Sequence, residues 1–374
     1  MAQGRHGSKP PAAVVRVPFG GRNPAASSSY LPFLTLAPHP HPPATPPGHI
    51  PLPAAGCALA MHRAALDGIG NHFIFAAPGA SYHEKSYKRH LCWIPWSGVI
   101  SAKWAGDERD GNGIPCLWFP APSAATVLLF FHANAEDLGM THSLLKHLCD
   151  QFMVNVLGVE YPGYGLLRDM APSEEGVQEV ALTVLRYLVD HVGVRFPQIM
   201  ILGRSLGSGP AVFLASKYPL GGLILVSPFC SIKAAMHNIV GRAFAWPFAE
   251  RFSNYKLIGN VSCPTLFIHG EADALVPAEH SLRLFERCRA RKLLVMPPTM
   301  EHNSHLFSDK DFLAVPAIHF FGFPGFRTPS PPRLPPRLFE NANRGAPRGQ
   351  PAGPRGEHRG GGGAGPCLCD CMPR

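Results

Sequence analysis

No stretch of the chain reaches the ~18 consecutive apolar residues that a membrane-spanning helix needs, so none is expected. The first ten residues lack the charged start and long apolar stretch of a secretory leader, so no leader is expected either. Cysteine is present at 10 residues, and seven of them are scattered through the chain. Cys57, Cys92, Cys116, Cys149, Cys230, Cys263 and Cys288 stand singly, several of them in apolar runs where buried thiols are common. That argues against a disulfide scaffold and for a reducing, cytoplasmic setting. Charged residues make up only 16% of the chain, and residues 1–60 contain no acid at all.

The scarcity of charge is uneven, and it partitions the chain. Residues 1–60 carry Arg5, Lys9, Arg16 and Arg22. From residue 326 onward, Arg327, Arg333, Arg337, Arg344, Arg348, Arg355, Arg359 and Arg374 face only Glu340, Glu357 and Asp370. These two ends account for the whole formal charge of +9. The middle is therefore close to neutral, and no nucleic-acid partner is expected. Most of the excess Pro and Gly also lies at the ends. Residues 1–70 are expected to be a disordered Pro/Ala/Gly-rich segment, 71–323 a folded domain, and 324–374 a disordered Pro/Gly/Arg-rich tail.

The domain reads as strands alternating with amphipathic helices. Strand-like runs occupy 90–96, 113–119, 126–131, 154–159, 199–202, 223–226, 265–268 and 293–296. Several are almost wholly apolar, as buried parallel strands are. A helix follows through Leu144, Leu145, Leu148 and Phe152. A second, capped by Ser173, places Val177, Val180, Ala181, Val184, Leu185, Leu188 and Val189 on one face. The expected class is α/β, a mostly parallel central sheet flanked by helices. In such sheets, sites lie at the carboxyl ends of strands.

One of those ends is Gly203-Arg204-Ser205-Leu206-Gly207, between an apolar strand and a helix beginning near Pro210. This is the strand–turn–helix setting of a nucleophile elbow, in which glycines two residues to either side let backbone pack closely around an exposed serine. A serine hydroxyl needs a histidine to take its proton and an acid to orient that histidine. Later strand ends supply them. Asp273 follows the strand at 265–268, and His302 follows the strand at 293–296. Glu271 competes with Asp273 for the acid, and His305 with His302 for the base. Serine, then acid, then histidine is the chain order of the α/β-hydrolases. The oxyanion donors are expected at the backbone N–H of Leu206 and, from the 132–134 loop, of Asn134. His132 and His269 read as structural. Tyr161-Pro162-Gly163-Tyr164-Gly165 reads first as turn chemistry and second as site lining. The segment 227–264 is too short for a large lid.

The chain resembles the α/β-hydrolase domain-containing 17 group over about residues 73–320. The resemblance rests on Phe-Phe-His-Ala-Asn-Ala-Glu-Asp-Leu-Gly (130–139), Tyr-Pro-Gly-Tyr-Gly (161–165), Gly-Arg-Ser-Leu-Gly-Ser-Gly (203–209), Ser-Pro-Phe (227–229), His-Gly-Glu-Ala-Asp (269–273) and Glu-His-Asn (301–303). It implies an α/β-hydrolase fold with a minimal lid and a triad of Ser205, Asp273 and His302. It also implies hydrolysis, through an acyl-enzyme, of palmitoyl thioesters on S-acylated protein substrates, with no metal or cofactor. Peripheral contact with the cytosolic face of membranes goes with that reading. A carboxylesterase, lipase or S33-peptidase-like hydrolase is one alternative, and a weakly active hydrolase-fold scaffold is another.

Two departures bear on the expectation. Family members usually have Gly where this chain has Ala133; were that φ positive, alanine would cost about 1 kcal/mol and misaim an oxyanion donor. The cysteine cluster also stands at the far end, as Cys367, Cys369 and Cys371, where acylation and a free tail are both open. Their one-residue spacing is not that of a zinc knuckle. Pro332-Arg333-Leu334-Pro335-Pro336-Arg337 has the outline of an SH3-domain ligand.

Overall fold

The computed structural model describes residues 13–16, 74–96, 113–241, 249–325 and 327–340. Within them lies a nine-stranded sheet in the order β1-β9-β8-β7-β6-β4-β5-β3-β2. Its strands are β1 (Ala13–Arg16), β2 (Leu91–Ile94), β3 (Ile114–Phe119), β4 (Val127–Phe131), β5 (Asn155–Val159), β6 (Ile199–Arg204), β7 (Gly222–Val226), β8 (Thr265–Ile268) and β9 (Lys292–Met296). β2 and β3 pair antiparallel, as do β3 and β5, and every other pairing is parallel.

Apolar runs become central strands because both sheet faces are covered. Val127, Leu129 and Phe131 point to one core with Ile199 and Ile201. Leu128 and Phe130 point to the other with Met200 and Leu202. Side chains alternate along each strand, so a strand buried on both faces is apolar along most of its length. Helices α1 (Leu138–Phe152) and α7 (Ala314–Phe321) cover one face through Leu145, Leu148, Phe152 and Ala317. The other is covered by α2 (Glu174–Asp190), α3 (Ser208–Ala215) and α6 (Glu279–Arg287), through Val177, Val184, Leu188, Val212 and Leu284. Two further helices are α4 (Ile232–Val240) and α5 (Asn254–Leu257). Ser173 caps α2 as expected, accepting from Gly176 N–H at 3.0 Å. No helix among the described residues is long and apolar enough to cross a membrane.

The domain extends beyond its expected boundaries on both sides. Residues 13–16, expected in the disordered segment 1–70, form β1 on the edge of β9, with Ala13 opposite Leu293 and Arg16 opposite Met296. The β-branched pair Val14-Val15 suits a strand, and the segment covers the edge of β9. At the other end, the expected boundary at 323 cuts through packed structure. Arg327 bridges to Ala124, and Thr328 N–H donates to Ser123 O at 2.8 Å. A short 3-10 turn, Pro336–Phe339, lies against β2. Leu334 and Leu338 are buried in the main core. The Pro-Arg-Leu-Pro-Pro-Arg motif is thus part of a strap docked through its leucine. Cys367, Cys369 and Cys371 lie outside the described residues.

Candidate active site

β6 runs directly into Ser205, whose φ is +50°. A left-handed backbone costs a residue with a side chain roughly 1–2 kcal/mol. Packing holds it there. A Cβ on Gly203 would sit 2.4 Å from Gly207 O, and one on Gly207 would sit 2.1 Å from Phe131 O. Neither glycine has a positive φ. They are needed for close approach, which presses the elbow onto the end of β4.

The sheet then brings the remaining partners together. β8 and β9 end two and three strands from β6, and the loops after them turn inward. His302 Nε2 lies 3.0 Å from Ser205 Oγ. His302 Nδ1 lies 2.8 Å from Asp273 Oδ2. All three residues are buried. The carboxylate can only accept, so Nδ1 carries the proton and Nε2 is left to accept from the serine hydroxyl. Glu271 and His305 are both exposed and take no part in this chain of bonds.

Asp273 is held by more than His302. Its Oδ1 accepts from Leu275 N–H at 3.1 Å and from Val276 N–H at 2.8 Å, and His269 Nε2 is 3.3 Å from Oδ2. Burial alone would raise its pKa, but hydrogen bonds from His269, His302 and Val276 outweigh that and hold the carboxyl well below the usual range. His269 is fixed in turn by Ser281 Oγ and Val276 O, each at 2.7 Å. It is structural, as expected, and its role is to orient the acid.

The 132–136 loop, opposite Ser205, is tied down from several directions. Ala133 is not among the residues with positive φ, so alanine sits there without backbone strain. Its N–H donates to Glu136 Oε1 at 3.1 Å, which leaves the Asn134 N–H as the loop's oxyanion candidate beside that of Leu206. The Asn134 side chain makes three hydrogen bonds. Nδ2 donates to Ile74 O at 2.7 Å, and Oδ1 accepts from Ala76 N–H at 3.0 Å and Tyr164 Oη–H at 2.5 Å. Tyr161 Oη–H donates to His132 O at 2.9 Å. The two tyrosines therefore do more than form a turn: they hold the loop.

Beneath the loop lies a buried histidine–glutamate pair that spacing did not reveal. His132 Nε2 is 2.9 Å from Glu160 Oε1, and His132 Nδ1 is 2.8 Å from Ala133 O. Both ring nitrogens face acceptors. Burial disfavours the imidazolium, but the Glu160 hydrogen bond and charge, with the Ala133 carbonyl, prevail and raise its pKa. Glu160 also accepts from Tyr82 Oη–H at 2.8 Å and Leu138 N–H at 3.2 Å. Glu160 and Tyr82 are 78 residues apart, a pairing that no local spacing could signal.

Ser205, Leu206, Ala133, Asn134 and His302 open into one pocket of about 330 Å³. Its walls are Ile74, Phe229, Ile232, Ala235, Met236 and Val276. Leu275, 43% exposed, stands at its mouth. The volume is at the small end of ligand pockets, which run from about 300 to 1,000 Å³. α4 supplies much of the apolar wall through Ile232, Ala235 and Met236.

Comparison with known proteins agrees with this geometry. Residues 172–307 match a serine hydrolase family, FSH1. That span includes the serine, the acid and the histidine. The chain is 33% identical over 183 residues to human alpha/beta hydrolase domain-containing protein 17B, covering 48% of this chain and 61% of that protein. It is 32% identical over 197 residues to the Caenorhabditis elegans alpha/beta hydrolase domain-containing protein aho-3, covering 52% of this chain and 58% of that protein. The matches thus span about six-tenths of these relatives' own length. Among solved structures, the Pyrococcus furiosus esterase Pf2001 superposes with a TM-score of 0.51 at 13% identity, covering 66% of this chain and 96% of that chain. That likeness shows the fold alone. Elbow, hydrogen-bonded triad and sheet order together show an α/β-hydrolase fold, and over part of its length the chain is similar to a serine hydrolase family and to the α/β-hydrolase domain-containing 17 proteins.

Proposed function

We propose that the protein hydrolyses acyl thioesters through a Ser205 acyl-enzyme, with palmitoylated cysteines of other proteins as its substrates. The observation that carries this reading is the unbroken chain Ser205–His302–Asp273 at the mouth of an apolar pocket. His302 Nε2 takes the Ser205 proton as Oγ attacks the thioester carbonyl. The carbonyl oxygen gains the negative charge beside the N–H groups of Leu206 and Asn134. The tetrahedral intermediate then collapses. The C–S bond breaks, and the sulfur leaves with the proton held on His302. Water, deprotonated by His302, next attacks the acyl-serine and releases the fatty acid and free Ser205. The resemblance to palmitate-removing hydrolases supports the choice of thioester. So does the pocket, apolar along its walls and edged by an exposed leucine, which suits a lipid chain carried on a protein.

The test is labelling with a fluorophosphonate, followed by turnover of a palmitoyl-cysteine peptide against its oxyester and amide counterparts. Labelling is expected in the wild type and absent in Ser205→Ala, with the thioester turned over fastest. A folded wild type that takes no label would overturn the triad. Faster turnover of the oxyester would overturn the thioester assignment and leave an esterase.

A further inference from the structure

Arg204, the residue just before the nucleophile, joins the loops on either side of it. Its Nη2 donates to both His302 O and Ser304 O, each at 3.1 Å. Its Nη1 lies 3.8 Å from Glu136 Oε1. The same Oε1 accepts the Ala133 N–H at 3.1 Å, and Glu136 N–H donates to Asn134 O at 2.7 Å. The two side chains are only 11% and 18% exposed. We infer that Arg204 and Glu136 form a positioning clamp that sets His302 and the Ala133–Asn134 loop relative to Ser205. The inference rests on the serine hydrolase reading.

The physical case begins with the ring contacts of His302. Its bond to Ser205 breaks and re-forms in each cycle, so it cannot serve as a constant anchor. The backbone of the 302–304 loop can, and its two carbonyls are gripped by a side chain that moves with the nucleophile. The planar guanidinium can engage two carbonyls and a carboxylate together, which a lysine ammonium on a flexible stem does poorly. On the other side, Glu136 turns the Ala133 N–H away from the pocket and fixes the next peptide. Arg204 thus links base and oxyanion loop through one ion pair. A misplacement of about 1 Å in such a site costs on the order of 10²-fold in rate.

The experiment compares wild type with Arg204→Met, Arg204→Lys, Glu136→Gln and Glu136→Ala. Each is followed by the rate of fluorophosphonate labelling, by kcat and KM on a short-chain thioester, and by thermal unfolding. Arg204→Met is expected to slow labelling and kcat by about 10- to 100-fold with KM within about twofold. Arg204→Lys should recover part of the loss, and low concentrations of guanidinium should partly rescue Arg204→Met. Glu136→Gln still accepts the Ala133 N–H and should lose less than Glu136→Ala. If Arg204→Met does not fold, the two Glu136 variants decide: both labelling at the wild-type rate overturns the clamp. Wild-type labelling with an equally fast Arg204→Met also overturns it and leaves the triad intact. No label on the wild type sinks the hydrolase reading itself.

Discussion

Gly207→Ala places a methyl group where the structure has no room. Its Cβ would lie 2.1 Å from Phe131 O and 2.8 Å from His132 O, where ordinary contact begins near 3.4 Å. Something must move by more than an ångström. The obstructing atoms are backbone at the end of β4, paired on both sides with β5 and β6, and they continue directly into the 132–136 loop. The elbow must therefore lift away from that loop. Overpacking of this kind costs about 1–3 kcal/mol, and for a domain of this size each kcal/mol lowers Tm by roughly 2–4 °C. The expected loss is about 2–12 °C. The functional loss should be larger in proportion. Shifting Leu206 N–H and Ser205 Oγ by about 1 Å relative to the opposite loop predicts a fall near 10²-fold in fluorophosphonate labelling. Gly207 has φ −61°, so alanine suffers no backbone strain there, and the whole effect comes from the collision. A folded Gly207→Ala protein with wild-type Tm and wild-type labelling would refute the close-approach argument for the elbow.

Asp273→Asn should lower kcat by about 10⁴-fold, since the amide favours the wrong His302 tautomer. Its pH signature follows from the depressed carboxyl pKa. A depressed value contributes stability above the unfolded pKa, near 4, and that contribution is lost as pH falls below it. Denaturant titrations should therefore show wild type more stable than Asp273→Asn at neutral pH, with the gap closing in acid; a constant gap would count against the network. In the strap, Leu334→Ala and Leu338→Ala should each cost about 2–5 kcal/mol, because both leucines are buried in the main core. Unchanged urea midpoints in these variants would mean that 327–340 does not stabilise the domain.

Much of the site was legible in the sequence because each part sits where an apolar run stops. Ser205, Asp273 and His302 follow β6, β8 and β9 in chain order, and parallel strands bring their carboxyl ends to one edge. Flanking glycines revealed the elbow because they are local to it. The strap and β1 were obscured by composition: Pro-rich and Arg-rich segments look solvated, and only packing shows that Leu334 and Leu338 find a core or that Ala13–Arg16 find an open strand edge. Ala133 raised a concern that depended on φ, and the backbone answered it. Choices between neighbours also waited on the fold. Asp273 over Glu271 and His302 over His305 are decided by which side chain the loop turns inward. The long-range polar bonds were invisible for a stronger reason. Tyr82 to Glu160, Tyr164 to Asn134 and Arg204 to the His302 carbonyl join residues 30 to 98 positions apart. Periodicity reports burial and spacing reports turns, but neither reports which distant donor meets which acceptor; that was decided by the tertiary structure alone.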